Sequence, residues 1–262
     1  MAKPLTALQR VESEAKDPET DSVRLWKLAA HKSVRVRDAV ASNRAAEDRT
    51  LRKLLDDEVP EVRLGAATAA GHRRDLHCAL AHHDDRSVRA LFVSVLRTDP
   101  HCISYADQQL LADDSFRDVR STVAGHTPYA DIFDRLLHDN DARVRGWCAS
   151  NPRISLDQME RLVTDRAWKT RSLTAVTGLR YPTDEQLIRL AQDRSAEVRW
   201  GVLCRVDAPR KALEIIARDS DDMNRQHAER VLNGDGVNAA GVIIEERRRR
   251  AETDYLDFEP AQ

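Results

Sequence analysis

The chain has 262 residues, of which 33% are charged and 5% are aromatic, a lean apolar content that suits a thin two-layer array better than a thick globular core. Its 42 basic and 44 acidic residues nearly cancel, which argues against a protein that coats nucleic acid through net positive charge and leaves room only for a local basic patch. There is no C-x-x-C pair, no apolar signal segment and no window apolar enough for a bilayer span, so we expect a cytoplasmic protein with free thiols and no membrane association.

Residues 1–20 are polar and are predicted to form a leader or a cap, because the ends of repeat arrays need a polar outer face. From residue 21 to residue 232 the frame L-x2-D-x4-V-R recurs eight times, at intervals of 25 to 31 residues. Self-similarity at such a period is typical of a solenoid. The frame arginines are Arg37, Arg63, Arg89, Arg120, Arg145, Arg171, Arg199 and Arg225. The frame acids are Asp57, Asp114, Asp139, Asp165, Asp193 and Asp219, with His31 and His83 at the two other positions.

Each repeat is predicted to contain two helices. In the first, apolar residues lie at i, i+3 and i+4, as in Phe133, Leu136 and Leu137, which predicts a helix of about three turns with one buried face. The second, shorter helix carries V-R and ends in polar or helix-breaking residues such as Asn151-Pro152. We therefore predict an all-α, right-handed α-solenoid of about eight short two-helix repeats.

The recurring Asp and Arg are predicted to be structural. The Asp follows the first helix and can accept backbone N–H bonds as an N-cap of the second. The Arg lies in the second helix and can fork to the Asp of its own or of the adjacent repeat. Stacked repeats would then carry a ladder of alternating charge, and residues that repeat in a solenoid are usually those that build the stack. We therefore predict no ligand contact from these residues.

This pattern resembles the HEAT-like and variant leucine-rich repeat families. D-x4-V-R is similar to the Asp and Val-Arg positions of HEAT repeats, and DARVRGWCASNPRISLDQMERLVTD at 141–165 resembles a variant leucine-rich repeat. The resemblance covers about residues 21–232 and implies an α-helix alternating with a shorter, often 3₁₀, helix. One member of that family carries a cysteine-ligated iron–sulfur cluster. This chain has no clustered cysteines, so no cofactor is predicted.

The third repeat is the least regular and holds most of the histidines. Cys78 and His82 are spaced i, i+4 on a predicted helix and could share a metal ion, with His101 or Cys102 completing the site. The spacing matches no established zinc signature, however, and His77 occupies a position that is Leu in other repeats. The sequence therefore predicts no metal. The repeat is five residues longer than its neighbours, which in solenoids often marks a binding loop or a bend.

Two tryptophans do not fit simple core packing. Trp200 occupies a column of mostly small or polar residues that looks solvent-facing, and Trp168 lies in a loop column. An exposed Trp beside basic side chains suits a protein contact or a stacked base, and the alternative is partial burial between repeats. The predicted partner-binding residues are Trp168, Trp200, Arg166, Lys169, Arg194 and Arg205.

Residues 233–262 are predicted to form a turn, a short capping helix at 242–250 and an acidic–aromatic tail that is either solvated or docks on a surface. The sequence holds no G-x-S-x-G, no H-E-x-x-H and no Gly-rich phosphate loop, so no catalytic residue is predicted. We expect a non-enzymatic scaffold that binds another macromolecule, most plausibly a protein. The alternative is a nucleic-acid-binding or DNA-base-repair solenoid, because HEAT-like glycosylases hold a damaged base against Trp and Asp, and this needs a continuous basic stripe.

Overall fold

The structure is a computed structural model, and it describes residues 5–178 and 182–234. Within these residues the secondary structure consists of seventeen α-helices and two short 3₁₀ helices, without a strand. The all-α prediction is confirmed. The chain divides into two compact units, with the boundary between Val119 and Arg120 inside the helix Arg117–His126. The predicted capping helix and tail lie outside the described residues.

In the first unit the helices alternate between two rows. The second helices of successive repeats pack side by side, α1 on α3, α3 on α5 and α5 on α7, and the first helices do the same from α2 through α8. The helices are α1 (Ala7–Lys16), α2 (Ser22–Leu28), α3 (Val34–Ala41), α4 (Asp48–Leu55), α5 (Pro60–Ala70), α6 (Arg74–Ala81), α7 (Arg86–Val93) and α8 (Tyr105–Ala112).

The second unit has the same alternation. The row of second helices runs α11, α13, α15, α17, and α12, α14 and α16 pack in the other row. The helices from the unit boundary onward are α9 (Arg117–His126), α10 (Ala130–Leu136), α11 (Ala142–Trp147), α12 (Leu156–Val163), α13 (Trp168–Thr177), α14 (Asp184–Leu190), α15 (Ala196–Leu203), α16 (Arg210–Ile216) and α17 (Asp222–Leu232).

The helix lengths differ from the expected ones. The first helices have seven or eight residues, which is about two turns rather than three. The second helices range from 6 residues in α11 to 11 in α17, and most are at least as long as their partners. They are α-helical, and the 3₁₀ geometry implied by the resemblance occurs only as the extensions Ser94–Arg97 and Cys148–Ser150 among the described residues. The prediction of a long first helix and a short second helix was therefore wrong.

The core lies between the two rows of helices. Leu25, Leu51, Leu54 and Leu136 are buried, as the i, i+3, i+4 pattern predicts. Adjacent second helices also approach each other closely. A methyl group on Gly146 would lie 2.7 Å from Leu173 Cβ, so the space there admits only a hydrogen.

Candidate functional site

Each frame arginine from Arg37 to Arg199 reaches forward to a carboxylate of the next repeat. Arg145 Nε donates to Asp165 Oδ2 at 2.7 Å and its Nη2 donates to Oδ1 at 2.9 Å, a two-point fork that matches guanidinium and carboxylate geometry. The same fork occurs in Arg37–Asp57, Arg89–Asp114, Arg120–Asp139, Arg145–Asp165, Arg171–Asp193 and Arg199–Asp219. We call these pairs, together with Arg63–Asp85, the Arg–Asp ladder.

The third guanidinium nitrogen of the same arginines binds the loop of its own repeat. Arg145 Nη1 donates to the carbonyl oxygens of Asp139, at 2.7 Å, and Asn140, at 3.2 Å. Arg171 and Arg199 make the equivalent bond to the carbonyls of Asp165 and Asp193. One guanidinium therefore links the loop of one repeat to the loop of the next and gives two carbonyls of its own loop a hydrogen-bond donor.

The frame aspartates do not cap the second helices. Asp139 Oδ1 accepts the N–H of Asp141, two residues on, at 2.7 Å, which is an Asx turn, and the N-cap itself is Asp141. The expectation that the frame Asp is the N-cap was wrong by two residues. The frame histidines do the same with a ring nitrogen: His83 Nδ1 accepts from Asp85 N–H at 2.9 Å, and His31 Nδ1 accepts from Ser33 N–H at 3.0 Å.

Where His83 replaces the frame Asp, another residue supplies the carboxylate. Arg63 donates through Nε, at 3.0 Å, and Nη2, at 2.6 Å, to the same oxygen of Asp85. Asp85 also accepts the Ser87 N–H as the N-cap of α7. The frame missed Asp85, which lies two residues after His83. Asp84 stands between them, so the spacing alone would not have chosen Asp85. His83 Nε2 donates to the carbonyl of Leu55 at 2.9 Å, because Nδ1 is occupied as an acceptor.

The ladder is held away from solvent. The side chains of Arg145 and Asp165 are 10% and 12% exposed. Burial by itself raises the pKa of Asp165, but the hydrogen bonds from Arg145 and from the Ala167 N–H outweigh it and hold that pKa below its usual value. In Asp219 the same opposition, with added hydrogen bonds from the Asp221 N–H and from Asn224, brings the pKa to about 2. Each of these charges is paired with an opposite charge inside the protein and is poorly placed to bind a ligand.

An exposed tryptophan and three basic residues lie on the second unit. Trp168 is the first residue of α13 and 42% exposed, and Lys169 Nζ lies 5.7 Å from its ring centroid. Arg166 lies in the preceding loop, and Arg194 occupies the same place, directly after the ladder Asp, one repeat later. Arg166 and Arg194 are exposed, and neither forms a hydrogen bond or ion pair with the described residues. We call these four residues the Trp168 surface.

Two other predicted binding residues are not on that surface. Trp200 is half-buried and packs on His227, with ring centroids 5.1 Å apart, so the alternative of partial burial holds for it. Arg205 is 6% exposed. Its Nη1 donates to the carbonyls of Ala175 and Gly178, both at 3.0 Å, so Arg205 closes the end of α13 instead of facing a partner. Its assignment as a binding residue was wrong.

The first helix of the third repeat and the first helix of the fourth bring together three side chains able to ligate a metal ion. Cys78, His82 and Asp107 each place one ligand atom within 4.8 Å of the others. The residues proposed from the sequence to complete this set do not belong to it: His101 is exposed elsewhere, and Cys102 is half-buried, where burial and Asp99 raise the pKa of its thiol. Asp107 was not foreseen, because it comes from α8 and no short spacing links it to Cys78.

No protein-family model matches the chain, and a search of curated proteins gives no match. Among solved structures, the chain is similar to the X-ray structure of YibA from E. coli, with 15% sequence identity, a TM-score of 0.43 and coverage of 95% of this chain and 99% of YibA. Within residues 5–178 and 182–234, none of the helices combines the length and apolar character needed to cross a bilayer.

Proposed function

We propose that the chain is a non-enzymatic α-helical repeat scaffold that binds another protein. We further propose that its helices form an eight-repeat, right-handed α-solenoid of the HEAT-like or variant leucine-rich repeat type. In support, the Arg–Asp ladder repeats the same fork between successive helix pairs within each unit. Residues that repeat serve the stack, so recognition falls to residues that do not repeat.

The observation that carries the proposal is the Trp168 surface. Partly exposed aromatic rings next to arginines are typical of contact centres between proteins, since a ring buries a large area at low entropic cost. Lys169 lies near the ring, and Arg166 and Arg194 are exposed in the loop before it and in the equivalent loop of the next repeat, without a hydrogen bond or ion pair to the described residues. The partner that fits is a protein segment carrying acidic side chains and an apolar group that covers the indole.

A nucleic-acid partner would need the positive charge to continue from repeat to repeat. The residue after each ladder Asp or His varies instead. It is Lys32, Glu58, Asp84 and Ser115 in the first unit, so the one basic residue there is followed by acids. In the second unit it is Asn140 just before the Trp168 surface and Ser220 just after it, where Asp221 and Asp222 follow. The basic patch is therefore bounded within two repeats, which favours a protein over a duplex or an extended single strand.

The test is affinity purification of the tagged full chain from its own cells, with and without nuclease, as wild type and as Trp168→Ala. Trp26→Ala is the matched control, because Trp26 is also exposed, at 37%, and also lies under a cation, Lys53 Nζ, 4.6 Å from its ring centroid. We expect a discrete protein that survives nuclease, is lost with Trp168→Ala and is kept with Trp26→Ala.

Charge is tested separately with Arg166→Glu, matched by Lys211→Glu on the exposed face of α16. The partner should be weakened by the first variant and retained by the second. Recovery of nucleic acid, with proteins lost on nuclease treatment, would replace the proposal by its alternative. If neither Trp168→Ala nor Arg166→Glu weakens partner binding, the Trp168 surface is not the binding site.

A further inference from the structure

The Cys78, His82 and Asp107 cluster lies between two first helices of the first unit, independently of the Trp168 surface. Cys78 is in the last turn of α6, and His82 is the C-cap of that helix, one turn further. Asp107 is in the first turn of α8, which packs against α6. Two helix ends thus present a thiol, an imidazole and a carboxylate to the same point, with all three ligand atoms within 4.8 Å of one another.

The spacing fits a tetrahedral ion. Zn²⁺ binds thiolate sulfur at about 2.3 Å and imidazole nitrogen at about 2.0–2.1 Å, so two such ligands at the tetrahedral angle lie roughly 3.6 Å apart. Cys78 Sγ and His82 Nδ1 are 3.7 Å apart. The carboxylate of Asp107 needs to approach by only roughly 1 Å to complete a face of the tetrahedron. Side chains exposed or half-buried, as these are, can make that movement without disturbing the core.

These side chains have few other structural roles, and His82 makes one hydrogen bond, to the Cys78 carbonyl. Cys78 and His82 are exposed, so packing does not explain them. The helix cap at α8 is provided by the Ser104 hydroxyl, which accepts the Asp107 N–H at 3.1 Å, and this leaves the Asp107 carboxylate free of the capping role. The same hydroxyl donates to Asp107 Oδ2 at 2.7 Å. Such an outer hydrogen bond orients carboxylate ligands in metal sites.

The extra residues of the third repeat precede α8 directly. The segment 98–104 is anchored by the buried Ile103, and Gln108 Nε2 donates to the carbonyls of Pro100 and Ile103, both at 3.0 Å. The first turn of α8, with Asp107, is therefore held by hydrogen bonds to this longer segment. On the other side, His82 lines a groove of ≈ 340 Å³ together with Arg52 and Asp56, which gives a hydrated ion a path to the imidazole.

We propose that Cys78, His82 and Asp107 bind one divalent cation of the zinc class, with a water molecule in the fourth position. The mixed sulfur, nitrogen and oxygen set favours Zn²⁺ over Mg²⁺ or Ca²⁺, which prefer oxygen ligands alone. Binding requires the thiolate of Cys78 and a neutral His82. Coordination through Nδ1 exchanges the hydrogen bond to the Cys78 carbonyl, now 2.9 Å long, for the bond to the metal.

The test is a titration of the reduced, metal-free full chain, without a polyhistidine tag, with Zn²⁺ in competition with a chromogenic chelator. We expect one equivalent bound with micromolar or higher affinity. Replacing outer-shell partners alone costs about 10- to 100-fold in known sites, so Cys78→Ser, His82→Ala and Asp107→Asn should each weaken binding at least that much. Loading with Co²⁺ should give a thiolate-to-cobalt charge-transfer band that Cys78→Ser abolishes.

The matched controls are Cys204→Ser in the second unit and His101→Ala and Cys102→Ser in the neighbouring loop, all of which should bind Zn²⁺ like the wild type. The melting temperature of each metal-free variant checks that it folds. Absence of Zn²⁺ binding, binding unaffected by Cys78→Ser and Asp107→Asn, or dependence on His101 or Cys102 instead of Asp107 would each overturn the proposal.

Discussion

The Arg145–Asp165 and Arg63–Asp85 pairs both link one repeat to the next, but they differ in geometry and in exposure to solvent. In the first, two nitrogens meet two oxygens and both side chains are nearly buried. In the second, both nitrogens converge on one oxygen, and each side chain is 20% exposed. The Arg63–Asp85 pair joins the second repeat to the irregular third repeat, where His83 holds the frame position.

A regular frame Asp has two roles, and in the third repeat His83 and Asp85 divide these roles between them. The frame Asp both accepts the N–H two residues on and binds the arginine of the preceding repeat. His83 keeps the first role through Nδ1 and leaves the second to Asp85. A histidine is thus compatible with the turn but not with the ion pair, because a neutral ring accepting at Nδ1 offers no negative charge to a guanidinium.

The largest expected effect is that of Arg145→Ala. Removing this guanidinium leaves Asp165 buried without a counter-ion, and breaking such a pair typically costs about 3–5 kcal/mol. We expect a loss of at least ~2 kcal/mol in the free energy of unfolding, measured by urea denaturation. An unchanged melting temperature would indicate that Arg145 is a surface residue, and Arg145 would then be a candidate for a ligand contact.

The enclosed ladder pairs should dominate acid unfolding. The pKa of Asp219 falls from 3.8 to about 2 in the folded chain, so its contribution is complete above pH 4 and lost as the pH falls towards 2. The contribution at neutral pH is about 2 kcal/mol. The stability difference between wild type and Asp219→Asn should therefore shrink as the pH falls over that window. For the more exposed Asp85, whose pKa Arg63 also lowers, Asp85→Asn should change the acid dependence less.

The closeness of adjacent second helices also differs between the region of Gly146 and the region of Gly65. The added methyl of Gly146→Ala would meet Leu173 at 2.7 and 2.9 Å, whereas that of Gly65→Ala would lie 3.3 Å from Asp38 Oδ1 and 3.4 Å from Ala41. We expect Gly146→Ala to lower the free energy of unfolding by about 1–3 kcal/mol through overpacking. Gly65→Ala should be close to neutral, since the gain of up to ~1 kcal/mol in helix propensity offsets a mild contact. Equal effects would contradict the close packing of α11 on α13.

Arg63→Ala should be milder than Arg145→Ala, because solvent reaches Asp85 and can hydrate its carboxylate after the arginine is lost. We expect about 1 kcal/mol, in the range of partly exposed ion pairs. The two variants should be compared by chemical denaturation under identical salt. A loss of stability as large as that of Arg145→Ala would show that the contribution of a ladder pair does not depend on its exposure to solvent.

The smallest effect is expected from His83→Asp, which restores the frame residue. The new carboxylate can accept the Asp85 N–H and meet Arg63, but it loses the bond from His83 Nε2 to the Leu55 carbonyl. These changes oppose each other, so the free energy of unfolding should move by less than ~1 kcal/mol. The informative measurement is Arg63→Ala in this background, which should cost more than in the wild type if the arginine switches partner.

Periodicity was sufficient to predict the helical class, the apolar positions of the core and the residues of the regular ladder. It did not predict helix length, because apolar spacing does not mark where a helix begins and ends. Connections such as residues 42–47 and 204–209, together with second helices of up to 11 residues, take a larger share of each repeat than we expected. It also could not choose between an ion pair within a repeat and one to the next repeat, since both satisfy the same spacing. That choice depends on how neighbouring helices stack.

The misplacement of Trp200 has a physical cause. Its column holds small residues such as Gly146 and Ser121, which we interpreted as solvent-facing. Those residues are small because second helices approach closely there, and Gly146 and Ser121 are buried. Arg205 was misjudged for a related reason: a guanidinium that satisfies carbonyls at a helix end looks in sequence like any exposed arginine. Trp168, in contrast, stands at a helix start, and the equivalent residues are exposed at Val34 and Pro60 in the first unit and half-buried at Ala142 and Ala196 in the adjacent repeats.

The central claim is that the recurring arginines hold successive repeats together and do not contact a ligand. A double-mutant cycle on Arg145 and Asp165 tests it most directly, using Arg145→Ala, Asp165→Ala and the double variant in equilibrium unfolding. We predict that each single variant is destabilised and that the double variant is more stable than additivity implies, with a coupling energy of about 2 kcal/mol. Additive effects within ~0.5 kcal/mol would contradict the ladder.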